Sequence, residues 1–201
     1  MKKNKTLFLL ALCIVGLLIT WYFWPLNLDK VSVKVANAWV HDNLNDLWPH
    51  LTDQEKQKLT QQQLQQAYNI IVIEKLGGLK VVNSIKSDGS NSPIERMAIC
   101  TVETSDGTQL NLGFLVYKEE NKVSAQGLHF LVYLLERYYV SKEKIEQIDA
   151  RLKAYQTLKQ ELQKIGIHEV YEFYKNEWRT FDSMIDSCQQ LIAWRDNTQK
   201  N

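Results

Sequence analysis

The sequence predicts an α+β protein displayed behind one N-terminal transmembrane helix, and three observations predict it. Residues 7–24 form an apolar run without a charge. Residues 29–77 carry apolar side chains at helical spacing, and residues 79–130 switch to a period of two. Helical spacing then returns from residue 131 to the end. The expected order is therefore a span, helices, a four-stranded antiparallel meander and a long C-terminal αα-hairpin.

The span comes first. Eighteen residues from Leu7 to Trp24 make a helix about 27 Å long, close to the roughly 30 Å hydrocarbon core of a bilayer. Lys2, Lys3 and Lys5 precede it, and Asp29 is the first charge after it. Basic residues on the short side keep residues 1–6 in the cytoplasm and send the remainder across. Trp21, Tyr22, Phe23 and Trp24 fall where amphipathic rings prefer to sit, at the interface. A lipidated leader ending at Cys13 is disfavoured by the bulky Leu12 before it. A cleaved signal is disfavoured because the nearest small-x-small site, Ala36-Asn37-Ala38, begins inside the first domain helix. The expected location is the cell membrane, single-pass, with membrane lipid as a partner through residues 7–24. All 23 acidic residues lie beyond the span with 21 of the 24 basic ones, a net charge of about −2. No basic stripe is present, so nucleic acid is not an expected partner.

The compact domain is expected over residues 29–130. Val31, Val35, Ala38, Trp39 and Asp42 share helical spacing and predict a helix ending before Pro49. Thr52 with Glu55, and Thr60 with Gln63, read as capping boxes. The second opens a helix carrying Leu64, Ala67, Tyr68 and Ile71 that Gly77-Gly78 stops. Four strand candidates follow: "LKVVNSIKS", "IERMAICTVET", "QLNLGFLVYK" and "KVSAQGLHF". Ser105-Asp106-Gly107-Thr108 joins the second and third, because Asp-Gly tolerates positive φ. Glu119-Glu120-Asn121 makes the next turn.

The stretch "NLNDLWPHLTDQEKQKLTQQQLQQAYNIIVIEKLGGLKVVNSI" resembles the opening of a bacterial envelope domain family of unknown function in the nuclear transport factor 2-like (cystatin-like) superfamily. The resemblance covers about half the chain and implies a curved sheet wrapped around helices as a cone. In such folds the cone interior serves some members as a ligand or catalytic cavity and others only as core. The chain also resembles, in layout alone, membrane-anchored scaffold components of secretion machines. Function has to be argued from residues.

Trp39, Tyr68, Phe114, Tyr117 and His129 are the candidate lining of the cone, with Glu74 and Glu103 near it. Leu110, Leu112, Phe114 and Val116 alternate with Asn111, Gly113, Leu115 and Tyr117, and neither set brings two ionisable groups together. No catalytic residue is therefore assigned. The four histidines (41, 50, 129 and 168) have no ligand spacing, and neither a metal nor another cofactor is expected. Catalysis in this architecture would need a carboxylate or histidine with a shifted pKa held in the cavity. The leading expectation is an extracytoplasmic binding or assembly module; the alternative is a small-molecule binder or enzyme using the cone.

Residues 131–201 are expected to form the helical arm. Ile145, Ile148, Leu152, Tyr155, Leu158, Leu162 and Ile165 recur at three and four before Gly166. Tyr171, Tyr174, Trp178, Phe181, Ile185, Cys188 and Ile192 continue the alternation. The aromatic members Tyr171, Tyr174, Trp178 and Phe181 are the candidate contacts for a protein partner or a second copy. Met97 and Ile99 make the second face of the sheet apolar, and the arm is expected to cover it. Cys100 and Cys188 fit either a disulfide or two buried thiols.

Overall fold

The structure is a computed structural model, and it describes residues 27–90, 92–119, 122–125, 127–168, 171–174 and 177–199. The expected span, residues 7–24, lies outside them. Among the described residues no helix is long and apolar enough to cross a membrane.

Helix α1 (Leu28–Val40) starts where Asn27 accepts a hydrogen bond from the Lys30 amide, at 3.0 Å. It buries Val35, Ala36, Ala38 and Trp39. It ends well short of Pro49, because Asp42 adopts φ +55° and turns the chain. Asp is one of the few residues that tolerate that region. A short α2 (Leu44–Leu47) and a single 3₁₀ turn at Trp48–His50 follow. Helix α3 (Asp53–Lys58) and helix α4 (Gln61–Tyr68) begin at the two expected caps. Thr60 and Gln63 satisfy each other's backbone, while Thr52 accepts from the Glu55 amide. A π-helical turn, Asn69–Lys75, extends α4 to the glycine pair. Gly77 is required sterically as well, since a Cβ there would lie 2.0 Å from Ser105 Oγ.

The sheet is antiparallel and curled, with helices packed inside it. Strand β3 (Glu95–Glu103) pairs along its whole length with β4 (Gln109–Glu119), in the register Glu103↔Gln109 set by the Asp106-Gly107 turn. Strand β5 (Lys122–Ala125) closes the order on one side. The first candidate strand is split into β1 (Lys80–Val81) and β2 (Lys86–Ser87), both on β3. Their registers differ by two residues, so a bulge separates them. The other edge is closed differently: Leu51 bridges Ala125 in parallel.

The last predicted strand is shorter than expected, ending at Ala125, and His129 lies in the first turn of helix α5 (Leu128–Glu143). Lys144, at φ +58°, turns α5 into helix α6 (Gln147–Lys164). The C-terminal αα-hairpin is corrected at its centre. Tyr171–Tyr174 and Glu177–Thr180 are strands β6 and β7 of a separate antiparallel ribbon, and helix α7 begins only at Phe181 and runs to Thr198. Helices α6 and α7 are still antiparallel neighbours. Arg195 near the end of α7 meets Glu146 and Asp149 at the start of α6, and Lys159 pairs with Asp182 at the other end.

Candidate functional site

Three of the five expected cone residues converge. Trp39 from α1, Tyr68 from α4 and Phe114 from β4 are all almost fully buried. The residue that joins them, Phe130 of α5, was not among the expected site residues. Its ring lies 4.5 Å from Trp39 and 4.8 Å from Phe114 by centroid, and Trp39 lies 6.1 Å from Tyr68. These are contact distances for aromatic rings, so the rings are packed as core between the helices and the curled sheet. The Tyr68 hydroxyl accepts from the Asp42 backbone amide, and burial pushes its pKa upward. Phe130 was legible as an apolar position; its place was hidden because its segment reads as strand.

The other two expected residues lie elsewhere. Tyr117 is on the opposite face of β4, the face carrying Asn111, Gly113 and Leu115, opposite Glu95 and Ser124 on the neighbouring strands. His129 is half-buried at the rim of a polar cavity of about 160 Å³ between α5, α6 and the β-ribbon. Glu74 is exposed outside the cone, and Glu103 ends β3. Of the arm aromatics, Tyr171, Tyr174 and Trp178 belong to strands, and Phe181 is buried edge-on against Tyr155 at 5.2 Å.

Glu136 and Arg151 form the floor of that cavity, with Tyr133, Tyr155 and Arg179 around it. The Glu136 carboxylate is buried and fully engaged. It accepts from Arg151 Nε at 2.7 Å, Arg151 Nη2 at 3.3 Å and Gln147 Nε2 at 2.7 Å. That fork raises the pKa of Arg151 and ties α5 to α6. At the other end of α5, Glu55 is buried at the junction of α3 and α5. Burial pushes its pKa up to about 7, against bonds from the Gly127 and Thr52 amides, the Thr52 hydroxyl and the charge of His129. Gly127 N donates to Glu55 Oε1 at 3.0 Å, and a Cβ at Gly127 would lie 2.9 Å from the same oxygen. Chemically, both carboxylates hold elements together: one accepts a guanidinium and an amide, the other a helix junction.

The second face of the sheet is not covered by the arm, contrary to expectation. Ile99 is 45% exposed and Val82 50%, while Met97 and Leu115 are half-buried. A shallow groove of about 410 Å³ runs there past Asn83, Lys86, Ile99, Thr101 and Asn111. Asn83 fills the gap in the split edge strand. It accepts from the Thr101 amide at 2.7 Å and donates to its hydroxyl at 3.0 Å. Cys100 and Cys188 are buried and not joined as a disulfide, and burial pushes the Cys100 thiol up to about 11. Comparisons with protein-family models, with curated proteins and with solved structures find no match to this chain.

Proposed function

We propose that this protein is a membrane-anchored, extracytoplasmic binding or assembly module of the bacterial envelope, built on a cone of the nuclear transport factor 2-like kind. Its working parts are its surfaces rather than the interior of the cone. The observation that carries this reading is the ring cluster: Trp39, Phe114 and Phe130 stand at packing distance where a ligand would have to sit. The apolar, uncovered outer face with Ile99 and Val82 supports the same reading from the other side of the sheet. The apolar run of residues 7–24 supports the anchor.

The test is rescue of a deletion strain by two full-length variants. Trp39→Phe, which changes the cone interior while keeping it packed, is expected to restore whatever phenotype the deletion causes. Ile99→Asp, on the outer face, is expected to fail while accumulating to the same level. The opposite pattern would return the function to the cone. The anchor is checked separately: the protein should stay with membranes through carbonate washing and keep its Met-Lys-Lys terminus.

A further inference from the structure

The start of α1 is fixed to one corner of the sheet, and this sets how the domain stands on its anchor. Four peptide links separate Trp24 from Leu28. A chain extends by at most about 3.6 Å per residue, so α1 begins within about 14 Å of the end of the apolar run. Asp29, in the first turn, accepts from the Ser87 hydroxyl at the end of β2. Its carboxylate also lies 2.8 Å from Arg96 Nε at the beginning of β3. That ionic contact is off the hydrogen-bond line; the aligned bond from Arg96 runs from Nη1 to Ser90 Oγ at 2.8 Å. The β2–β3 connection is thereby braced against the first turn of α1. Ser92 Oγ accepts from the Glu95 amide, and Lys118 N donates to Ile94 O at 2.7 Å, which adds β4 to the same corner.

On this braced corner Ile94 is 62% exposed, one of the large apolar side chains that the fold leaves in solvent. With Asp29 and Arg96 cancelling, Lys30, Lys86 and Lys118 stand against Asp88 and Glu95, a net charge of only +1. The corner is therefore near neutral, and its attraction to a bilayer does not depend on anionic lipid.

Resting on the anchor reading above, we propose that this corner lies on the bilayer surface, with Ile94 inserted at the headgroup boundary of ordinary phospholipid. The Asp106-Gly107 turn, at the opposite end of β3 and β4, then points away from the membrane. Nine residues from Glu95 to Glu103 place the two ends about 26 Å apart, at roughly 3.3 Å per residue.

The experiment uses the full chain in phosphatidylcholine vesicles containing a nitroxide-bearing lipid. A Cys13→Ala background leaves only the buried Cys100 and Cys188, so a fluorescent thiol label reports the added cysteine. Ile94→Cys should be quenched several-fold more strongly than Lys80→Cys, which sits opposite Glu103 at the far end. Adding Ile94→Asp should reduce quenching at a Lys118→Cys label while circular dichroism stays unchanged. Protein that floats with the vesicles yet shows equal quenching at residues 94 and 80 overturns the corner and spares the anchor. Quenching at residue 94 that appears only in native membranes, and not in pure vesicles, gives the corner to a protein instead. Protein that fails to float overturns the anchor, and this proposal with it.

Discussion

Along the single helix α5, the Phe130 end joins the rings of Trp39 and Phe114, whereas the Glu136 end is held to α6 by Arg151 and Gln147. The first contact is apolar, closed and indifferent to direction. The second is a fork of charged hydrogen bonds with one workable geometry. The buried stripe of α6 contains Ala150, Ala154, Leu158 and Leu162, small and aliphatic side chains whose burial is not directional. The polar fork sets the register that those small side chains leave open. Further ion pairs, from Arg195 to Glu146 and Asp149, extend the same device to α7. Burial thus supplies the strength of the cone, and charge supplies the alignment of the arm.

The largest expected effect tests the apolar half. Phe130→Ala removes the ring common to both stacks and should lower unfolding free energy by about 3–5 kcal/mol, read by chemical denaturation. A loss under about 1 kcal/mol, typical of a surface position, would mean that the rings do not form the core.

Glu55, which accepts from the Gly127 amide at the N-terminal cap of α5, gives the next effect. Its folded pKa of about 7 stands above the ordinary 4.5, so the fold favours the protonated acid. The stability it contributes is full below pH 4.5 and is lost as pH rises through 7. A shift of that size corresponds to about 3 kcal/mol. Glu55→Gln mimics the protonated form and should abolish this part of the pH dependence. Relative to the variant, the unaltered protein should lose stability between pH 4.5 and 7.5. Parallel curves for the two would place the ionised carboxylate in water.

The smallest effect belongs to the arm's surface charges. Arg195→Gln should shift the denaturation midpoint slightly at low salt and less at high salt, because the pair with exposed Glu146 is screened while that with Asp149 is partly buried. An equally large shift at high salt would show that the α6–α7 alignment depends on a desolvated pair.

Much of the first half was legible because local signals agreed there. Thr52 and Thr60 opened their helices, Gly77 closed one, and Asp106-Gly107 fixed the β3–β4 register. The arm was less legible because one set of aromatics satisfies two periods. Tyr171, Tyr174, Trp178 and Phe181 fit a helix at three and four, yet Tyr171 and Phe173 also alternate with Glu172 and Tyr174 as a strand does. Aromatic residues favour strands when a partner strand is near, and the ribbon won. The cover expected over Met97 and Ile99 failed for a related reason. Phe181 of α7 packs on Tyr155, and the apolar residues that α7 leaves exposed, Leu191 and Trp194, stay in solvent rather than shielding Ile99. The interior site was half legible: Trp39, Tyr68 and Phe114 lie in the core together, whereas Tyr117, expected in the lining with them, is on the other face of β4, and only the fold brought Phe130 between Trp39 and Phe114.

The two edges of the sheet carry a further consequence. One is broken by the two-residue shift between β1 and β2, with Asn83 occupying the gap. The other is shielded where Leu51 bridges Ala125. An intact edge would offer a ladder of open backbone groups to any neighbouring chain. With both margins spoiled, copies of this domain that collide do so without zipping into fibrils, and encounters are left to side chains.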